Sequence, residues 1–122
     1  MDVFLESYLS SGWLASVEPH PSVIVERFVK EVAAGNNNAV MAMLPEELRK
    51  GIGDDKLAAI FARNRAEIDT HGGLLSTEAE DLWEDTRHAA VELTMRYGDG
   101  SSDEELILLV RENADWRVDL TR

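Results

Sequence analysis

Apolar residues in the first half of the chain recur at helical spacing. Pro21 suits the first turn of a helix, because its missing N–H would have no helical partner there. The apolar stripe that follows it is Ile24, Val25, Phe28, Val29 and Val32. A short apolar helix is predicted over Ala39–Leu44, and a third helix runs from Asp54 or Asp55 to a stop at Gly72-Gly73.

After Gly73 the pattern changes to a period of two, which is typical of β-strands. A first, imperfect alternation contains Leu75, Thr77, Ala79, Asp81 and Trp83. A second, cleaner one contains Ala89, Val91, Leu93, Met95 and Tyr97. A continuous apolar run over Leu106–Val110 and a last alternation over Trp116–Leu120 complete about four strands. Helices followed by an antiparallel meander predict an α+β fold.

Two turns set the expected register of this sheet. Asp99-Gly100 is typical of a two-residue type I′ hairpin loop. The pairs that such a loop produces are Leu93 with Leu106, Val91 with Leu108 and Ala89 with Val110. A three-residue loop over 113–115 is expected in the last hairpin, because it places Trp116 beside Leu108 and Val110.

This register assigns the strand residues to two faces. The inner face, with Phe61 from the third helix, is expected to hold Leu75, Thr77, Ala79, Trp83, Val91, Leu93, Met95, Tyr97, Leu106, Leu108 and Val118. The outer face is expected to hold His88, Glu92, Thr94, Arg96, Glu105, Ile107, Leu109, Arg111, Arg117 and Asp119. Ile107 and Leu109 then form an apolar centre with a polar rim, which favours a homodimer through this face.

Residues 1–20 form an N-terminal extension to a single domain over 21–122. An apolar stripe in this extension, made of Phe4, Leu5, Tyr8, Leu9 and Trp13, predicts a helix packed on its own domain or on a dimer mate. A surface-anchoring helix and a disordered tail are the alternatives. The acidic Asp2 and Glu6 disfavour an anchor, because such helices carry Lys and Arg.

Composition excludes several classes of function. The 122 residues hold 24 Asp and Glu against 12 Lys and Arg, a formal charge of −12, so nucleic acid and anionic membranes are not expected partners. There is no cysteine, and hence no disulfide, thiolate metal site or cysteine nucleophile. The sequence contains neither a run of about 18 apolar residues nor a basic signal-peptide start. A cytoplasmic location is expected, with the periplasm as the alternative.

Several short motifs, in their order and spacing, carry a resemblance over about residues 21–122. They are Pro21, Phe28, Val32 and Gly35, the Asn-rich stretch 36–38, Gly72-Gly73, Tyr97-Gly98-Asp99-Gly100 and Trp116-Arg117-Val118. The chain resembles the nuclear transport factor 2-like superfamily, and within it a bacterial domain of unknown function often found in small lipoproteins. The resemblance implies a cone, in which a curved sheet wraps around helices. It leaves function open, because the superfamily contains isomerases, dehydratases, transport factors and non-catalytic domains.

Enzymes of that superfamily commonly place an Asp/His or Asp/Tyr set inside the cone. Asp81 is the only carboxylate among the alternating sheet positions, so it is the candidate catalytic base. The favoured interpretation is that the strand bends there and Asp81 faces water. The three histidines, His20, His71 and His88, lack metal-ligand spacing, so no metal and no cofactor is predicted.

Four large aromatic residues are the candidate binding residues: Phe61, Trp83, Tyr97 and Trp116. They line a pocket for an apolar small molecule if the cone is open, and are core if it is filled, which is favoured. The predicted function is a non-catalytic small-ligand or protein-interaction module. The alternatives are an isomerase or dehydratase using a pocket carboxylate, and an acidic inhibitor or immunity-type partner of a basic protein. The carboxylate run from Glu78 to Asp85 is the candidate contact for such a protein.

Overall fold

A computed structural model describes residues 19–120, and the predicted N-terminal helix in residues 1–18 lies outside them. The helices are α1 (Pro21–Ala34), α2 (Asn37–Ala42), α3 (Glu46–Ile52) and α4 (Asp54–Thr70). The strands are β1 (Leu74–Glu84), β2 (His88–Tyr97), β3 (Ser102–Glu112) and β4 (Asp115–Asp119). This order confirms the α+β class expected from the sequence.

The first helix begins and ends where its sequence predicts. Pro21 occupies the first turn, and Gly35 closes the helix in a left-handed conformation with φ of +77°. Its buried stripe, Ile24, Val25, Val29 and Val32, faces the sheet. The short second helix spans Asn37–Ala42, two residues earlier than the predicted Ala39–Leu44, and the chain restarts after Pro45 as α3.

The sheet is a curved antiparallel meander in the order β1-β2-β3-β4. α1 lies across its inner face, where it contacts β1, β2 and β4, and α4 packs against α1. The core between them is continuous, and alternate β2 residues reach it as predicted: Ala89, Val91, Leu93, Met95 and Tyr97. None of the described helices has the length and apolar character that crossing a membrane requires.

The β2–β3 hairpin differs from the prediction by one residue. Leu93 pairs with Glu105 and Arg96 with Ser102, so the loop has three residues, 98–100. A type I′ turn needs positive φ at both central residues, whereas Gly100 has φ of +91° and Asp99 is not in that region. The predicted faces of β3 were therefore wrong. Asp103, Glu105, Ile107 and Leu109 share the inner face, and Leu106 and Leu108 the outer one.

The last hairpin differs in the opposite sense. Arg111 pairs with Trp116 and Glu112 with Asp115, so the loop has two residues. Asn113 and Ala114 both have positive φ, at 52° and 73°, and the type I′ turn lies here. The predicted three-residue loop was wrong. The two errors cancel, and Trp116 and Val118 reach the core as expected.

Two irregularities in β1 break the predicted alternation. Register shifts lie between Leu74 and Ser76 and between Asp81 and Trp83. Thr77, Ala79 and Asp81 keep the inner phase between these bulges. Beyond them the expectation was wrong: Leu75 is 73% exposed, and Trp83 is 52% exposed beside Ala90 on the outer face.

Candidate ligand-binding cavity

A cavity of about 270 Å³ lies between α1, α4 and the inner face of β2 and β3. Its apolar lining is Val25, Phe28, Val29, Val32, Ile68, Leu93, Met95 and Ile107. Its polar lining is Asn64, Glu67, Tyr97, Asp103 and Glu105. The volume is slightly below the roughly 300–1,000 Å³ typical of small-ligand sites, so only a small ligand fits it.

The register of β2 with β3 brings the polar residues to the cavity. Asp103 lies opposite Met95, and Glu105 lies opposite Leu93, on the inner face. On α4, Glu67 precedes the buried Ile68. The carboxylates are solvent-exposed, whereas most of the apolar lining is buried. The cavity therefore has an apolar floor and an acidic mouth.

Tyr97 joins the floor to the mouth. Its side chain is 5% exposed, and its hydroxyl donates a hydrogen bond to Oδ2 of Asp103 at 3.1 Å. Burial raises the pKa of Tyr97 to about 12, together with that hydrogen bond and the charges of Asp103, Glu105 and Glu67. At neutral pH the phenol is thus a fixed hydrogen-bond donor.

The charged side chains that line this cavity are all acidic. Its lining includes no Lys, Arg or His. Neither Glu67 nor Glu105 forms an ion pair with any residue in 19–120. In the same part of the chain, no group of three or more His, Asp and Glu is placed to hold a metal ion.

Two larger depressions of the surface are of a different kind. One, of about 510 Å³, lies beside α3 and the β3–β4 turn and is lined mainly by charged side chains such as Glu46, Arg49 and Lys50. Another, of about 640 Å³, follows the polar side of α1. Neither of them reaches the buried core side chains that line the inner cavity.

Comparison with solved structures identifies the architecture. A crystal structure of an NTF2-like transpeptidase from Campylobacter jejuni matches 84% of this chain and 100% of that chain, with a TM-score of 0.73 and 18% identity. The fold is NTF2-like. No family model and no curated protein matches the sequence. At this identity the likeness shows the fold alone, and the activity named for the neighbour belongs to that protein.

Within the NTF2-like cone, the four candidate aromatic residues separate. Phe61 is 2% exposed and meets Phe28 edge-on, with ring centroids 6.0 Å apart. Trp116 is 4% exposed under the guanidinium of Arg111, 4.3 Å from the ring centroid. Of the four, Tyr97 lines the inner cavity, and Trp83 lies on the opposite face of the sheet. The four do not share one pocket.

The candidate base Asp81 belongs to β1, and its carboxylate lies beside the first turn of α1. Its two carboxylate oxygens accept hydrogen bonds from the backbone N–H and the hydroxyl of Ser22, both at 2.8 Å. An acceptor here satisfies a helix N–H that has no intrahelical partner. Asp81 is exposed and pairs with Val91, far along β2 from Tyr97. It is therefore not one of the carboxylates that line the cavity.

Sequence reasoning did not find the acidic mouth. A two-residue loop pairs Arg96 with Asp103, so the wrong loop length placed both Asp103 and Glu105 on the outer face. The signal that could have found both is the triplet Gly98-Asp99-Gly100, which also fits a three-residue loop with Gly in the left-handed position.

A serine, a histidine and an aspartate also meet at the β2–β3 turn. The hydroxyl of Ser101 donates to Oδ1 of Asp99 at 2.5 Å, and Oδ2 of Asp99 lies 3.0 Å from Nδ1 of His71. Ser101 Oγ lies 3.4 Å from the same ring nitrogen. A nucleophilic triad needs the serine and the carboxylate on different ring nitrogens. These contacts instead fasten the turn to the end of α4.

Proposed function

We propose that this protein is a non-catalytic small-ligand-binding module whose ligand enters the cavity between α1, α4, β2 and β3. The observation that supports this most directly is the 270 Å³ space lined by core side chains from four elements. Other parts of the core are closely packed, since Leu57, Phe61 and Val118 are almost completely buried.

The few polar groups at this cavity support binding with a defined orientation. Tyr97 is held by Asp103 and offers a fixed hydroxyl at the boundary between floor and mouth. Convergent polar groups on an apolar wall are typical of small-molecule sites. Asp81, the carboxylate first considered for catalysis, is engaged by Ser22 at the helix start.

A thermal-shift screen of small amphipathic compounds tests this proposal. A ligand at about 100 times its Kd stabilises the folded state by about 2.7 kcal/mol, which is a measurable shift in melting temperature. Ile107→Trp should abolish the shift, because Ile107 lines the cavity and a larger side chain fills it. Leu106→Trp is the matched control, since the neighbouring residue is exposed on the outer face.

Circular dichroism should establish that both variants are folded. Compounds that stabilise the wild type and Leu106→Trp, but not Ile107→Trp, support the cavity as the binding site. Stabilisation that persists in folded Ile107→Trp would place the ligand elsewhere and overturn the proposal.

A further inference from the structure

We infer that the ligand of this cavity is a small organic cation, an ammonium group on an apolar body, with the body on the floor and the charge at the acidic mouth. This inference rests on the proposed function and names the ligand class for the same site. It is carried by the cavity itself and by the chemistry of the groups at its opening.

The floor selects the apolar part of the ligand. Val25, Leu93 and Ile68 are at most 7% exposed and come from three different elements around the cavity. The gain of roughly 25 cal/mol per Å² comes from the apolar body of the ligand itself and from Phe28 and Ile107, the lining residues that are only partly buried. An inorganic cation or a sugar would leave that floor unused.

The mouth selects the charge. Glu67, Asp103 and Glu105 bring three carboxylates from α4 and β3 to one opening, and no basic side chain is part of the lining. Oppositely charged groups at one opening attract each other, so the three carboxylates favour a cation there. An ammonium group can also donate charge-assisted hydrogen bonds to them.

The surroundings of Tyr97 also favour a cationic ligand over an anionic one. Its hydroxyl proton points to Asp103, so that carboxylate is held at the mouth by a buried side chain. The high pKa of Tyr97, about 12, reflects burial first and the neighbouring negative charges next. An anionic ligand would enter this same negative field, which the −12 formal charge of the chain reinforces.

Three probes with one apolar tail separate charge from shape: hexylammonium, 1-hexanol and hexanoate. Each is titrated into the full chain at pH 7 and constant ionic strength, with Kd taken from backbone amide shifts in two-dimensional NMR. We expect hexylammonium to bind on the order of 10-fold more tightly than 1-hexanol, and hexanoate more weakly than either. The preference for the ammonium should decrease as salt is raised, because salt screens exposed charges.

Carboxylate variants locate the effect. Glu67→Gln and Glu105→Gln should each weaken hexylammonium binding by about 2- to 5-fold and leave 1-hexanol unchanged. Glu104→Gln is the matched control, because it removes the same charge from the residue between Asp103 and Glu105. Glu104 pairs with Thr94 on the outer face, and its substitution should change neither affinity by more than the error of the measurement.

The outcomes distinguish the two proposals. If hexylammonium and 1-hexanol bind with equal affinity and Ile107→Trp abolishes the binding of both, the cavity is a ligand site but the inference of a cationic ligand is wrong. Tighter binding of hexanoate than of hexylammonium also overturns the inference that the ligand is a cation. If no probe shifts the amides around the cavity, the proposed function fails and this inference fails with it.

Discussion

Tyr97 keeps its proton far above neutral pH because it is buried and because Asp103 accepts its hydrogen bond. An ordinary tyrosine titrates near 10, whereas the pKa of Tyr97 is raised to about 12. Folding therefore favours the neutral phenol. Its contribution to stability is complete below pH 10 and is lost as pH rises through about 12.

Absorbance at 295 nm measures this titration directly. The chain has two tyrosines, so Tyr8→Phe isolates Tyr97. We expect a midpoint near 12, and a lower midpoint in Asp103→Asn, which removes a charged acceptor and one of the neighbouring negative charges. Glu104→Gln should leave the midpoint unchanged. If circular dichroism shows a folded chain and Tyr97 still titrates with a midpoint near 10, the hydrogen bond from Tyr97 to Asp103 is contradicted.

Ala114 occupies a backbone conformation that favours glycine. With φ of +73° it is the second central residue of the type I′ turn between β3 and β4. Ala114→Gly should relieve about 1–2 kcal/mol of strain and lose about 0.4–1 kcal/mol to the greater freedom of the unfolded chain. We expect a net gain of about 0.5–1 kcal/mol in the free energy of unfolding, measured in urea.

Ala62→Gly is the control for this substitution. Ala62 is exposed inside α4, where glycine should cost about 1 kcal/mol. The two changes are chemically identical and should have opposite signs. Destabilisation by both would show that the turn does not hold Ala114 in the left-handed region.

At the scale of elements, the sequence determines some features better than others. The β2 alternation is clean, and its apolar residues are buried as predicted. β3 is ambiguous, because five apolar residues in a row, Leu106 to Val110, satisfy either register. Loop length then decides which face each residue takes. The acidic mouth could not be predicted, because a shift of one residue in the pairing of β2 with β3 moves Asp103 and Glu105 from one face to the other.

β1 shows a second limit. Each of its two bulges reverses the alternation of the strand, the second one directly after Asp81. No Gly or Pro at either bulge signals it in the sequence. A strict period of two therefore places Trp83 inward, while the structure places it outward. The bounds of α1 and the end of α4 were easier to predict, because Pro21, Gly35 and Gly72 mark them directly. The bounds of α2, which has no such marker, were predicted two residues too late.

The contacts among Asp99, Ser101 and His71 fasten the β2–β3 hairpin to the α4–β1 turn. The Ser101 hydroxyl and N–H, and then His71, lower the pKa of Asp99 to about 2. Backbone bonds reinforce the attachment, from Asp99 N–H to His71 C=O and from Gly98 N–H to Gly73 C=O. The ring of His71 also lies 5.3 Å from that of Tyr97, so this attachment supports one wall of the cavity.

Asp99→Asn tests the electrostatic part of that attachment. Because the folded-state pKa of Asp99 is depressed, its contribution is present above about pH 4 and is lost as pH falls through about 2. We expect a lower urea midpoint for the variant at pH 7 and convergence with the wild type near pH 2. Glu104→Gln should follow the wild type throughout. A difference that is constant with pH would mean that charge is not its origin.

At the scale of the whole molecule, the observed register changes which residues form the apolar centre of the outer face. Ile107 and Leu109 point to the core side. The outer apolar patch consists of the exposed Trp83 and Leu106 and the partly exposed Leu108 and Val110, which surround the buried Ala90. Trp83, Ala90 and Leu108 form one cross-strand row. Half-exposed tryptophan beside leucine is typical of an interface centre, since Trp is enriched among residues that dominate binding energy.

We therefore expect a homodimer through this outer apolar patch, with the same surface on both protomers and Glu92, Arg96 and Arg117 at its rim. Light scattering coupled to size exclusion at micromolar concentration should give twice the 13.6 kDa chain mass. Leu106→Glu places a charge in the patch and should give the monomer mass, because an unpaired charge is costly in a desolvated interface. Leu75→Glu is the matched control, since Leu75 is 73% exposed on the first β1 bulge and outside the patch, and it should stay dimeric. A monomeric wild type, or a Leu106→Glu variant that remains dimeric, would exclude this face as the interface.

The cavity lies on the opposite side of the sheet, so the dimer should bind ligand at two independent sites.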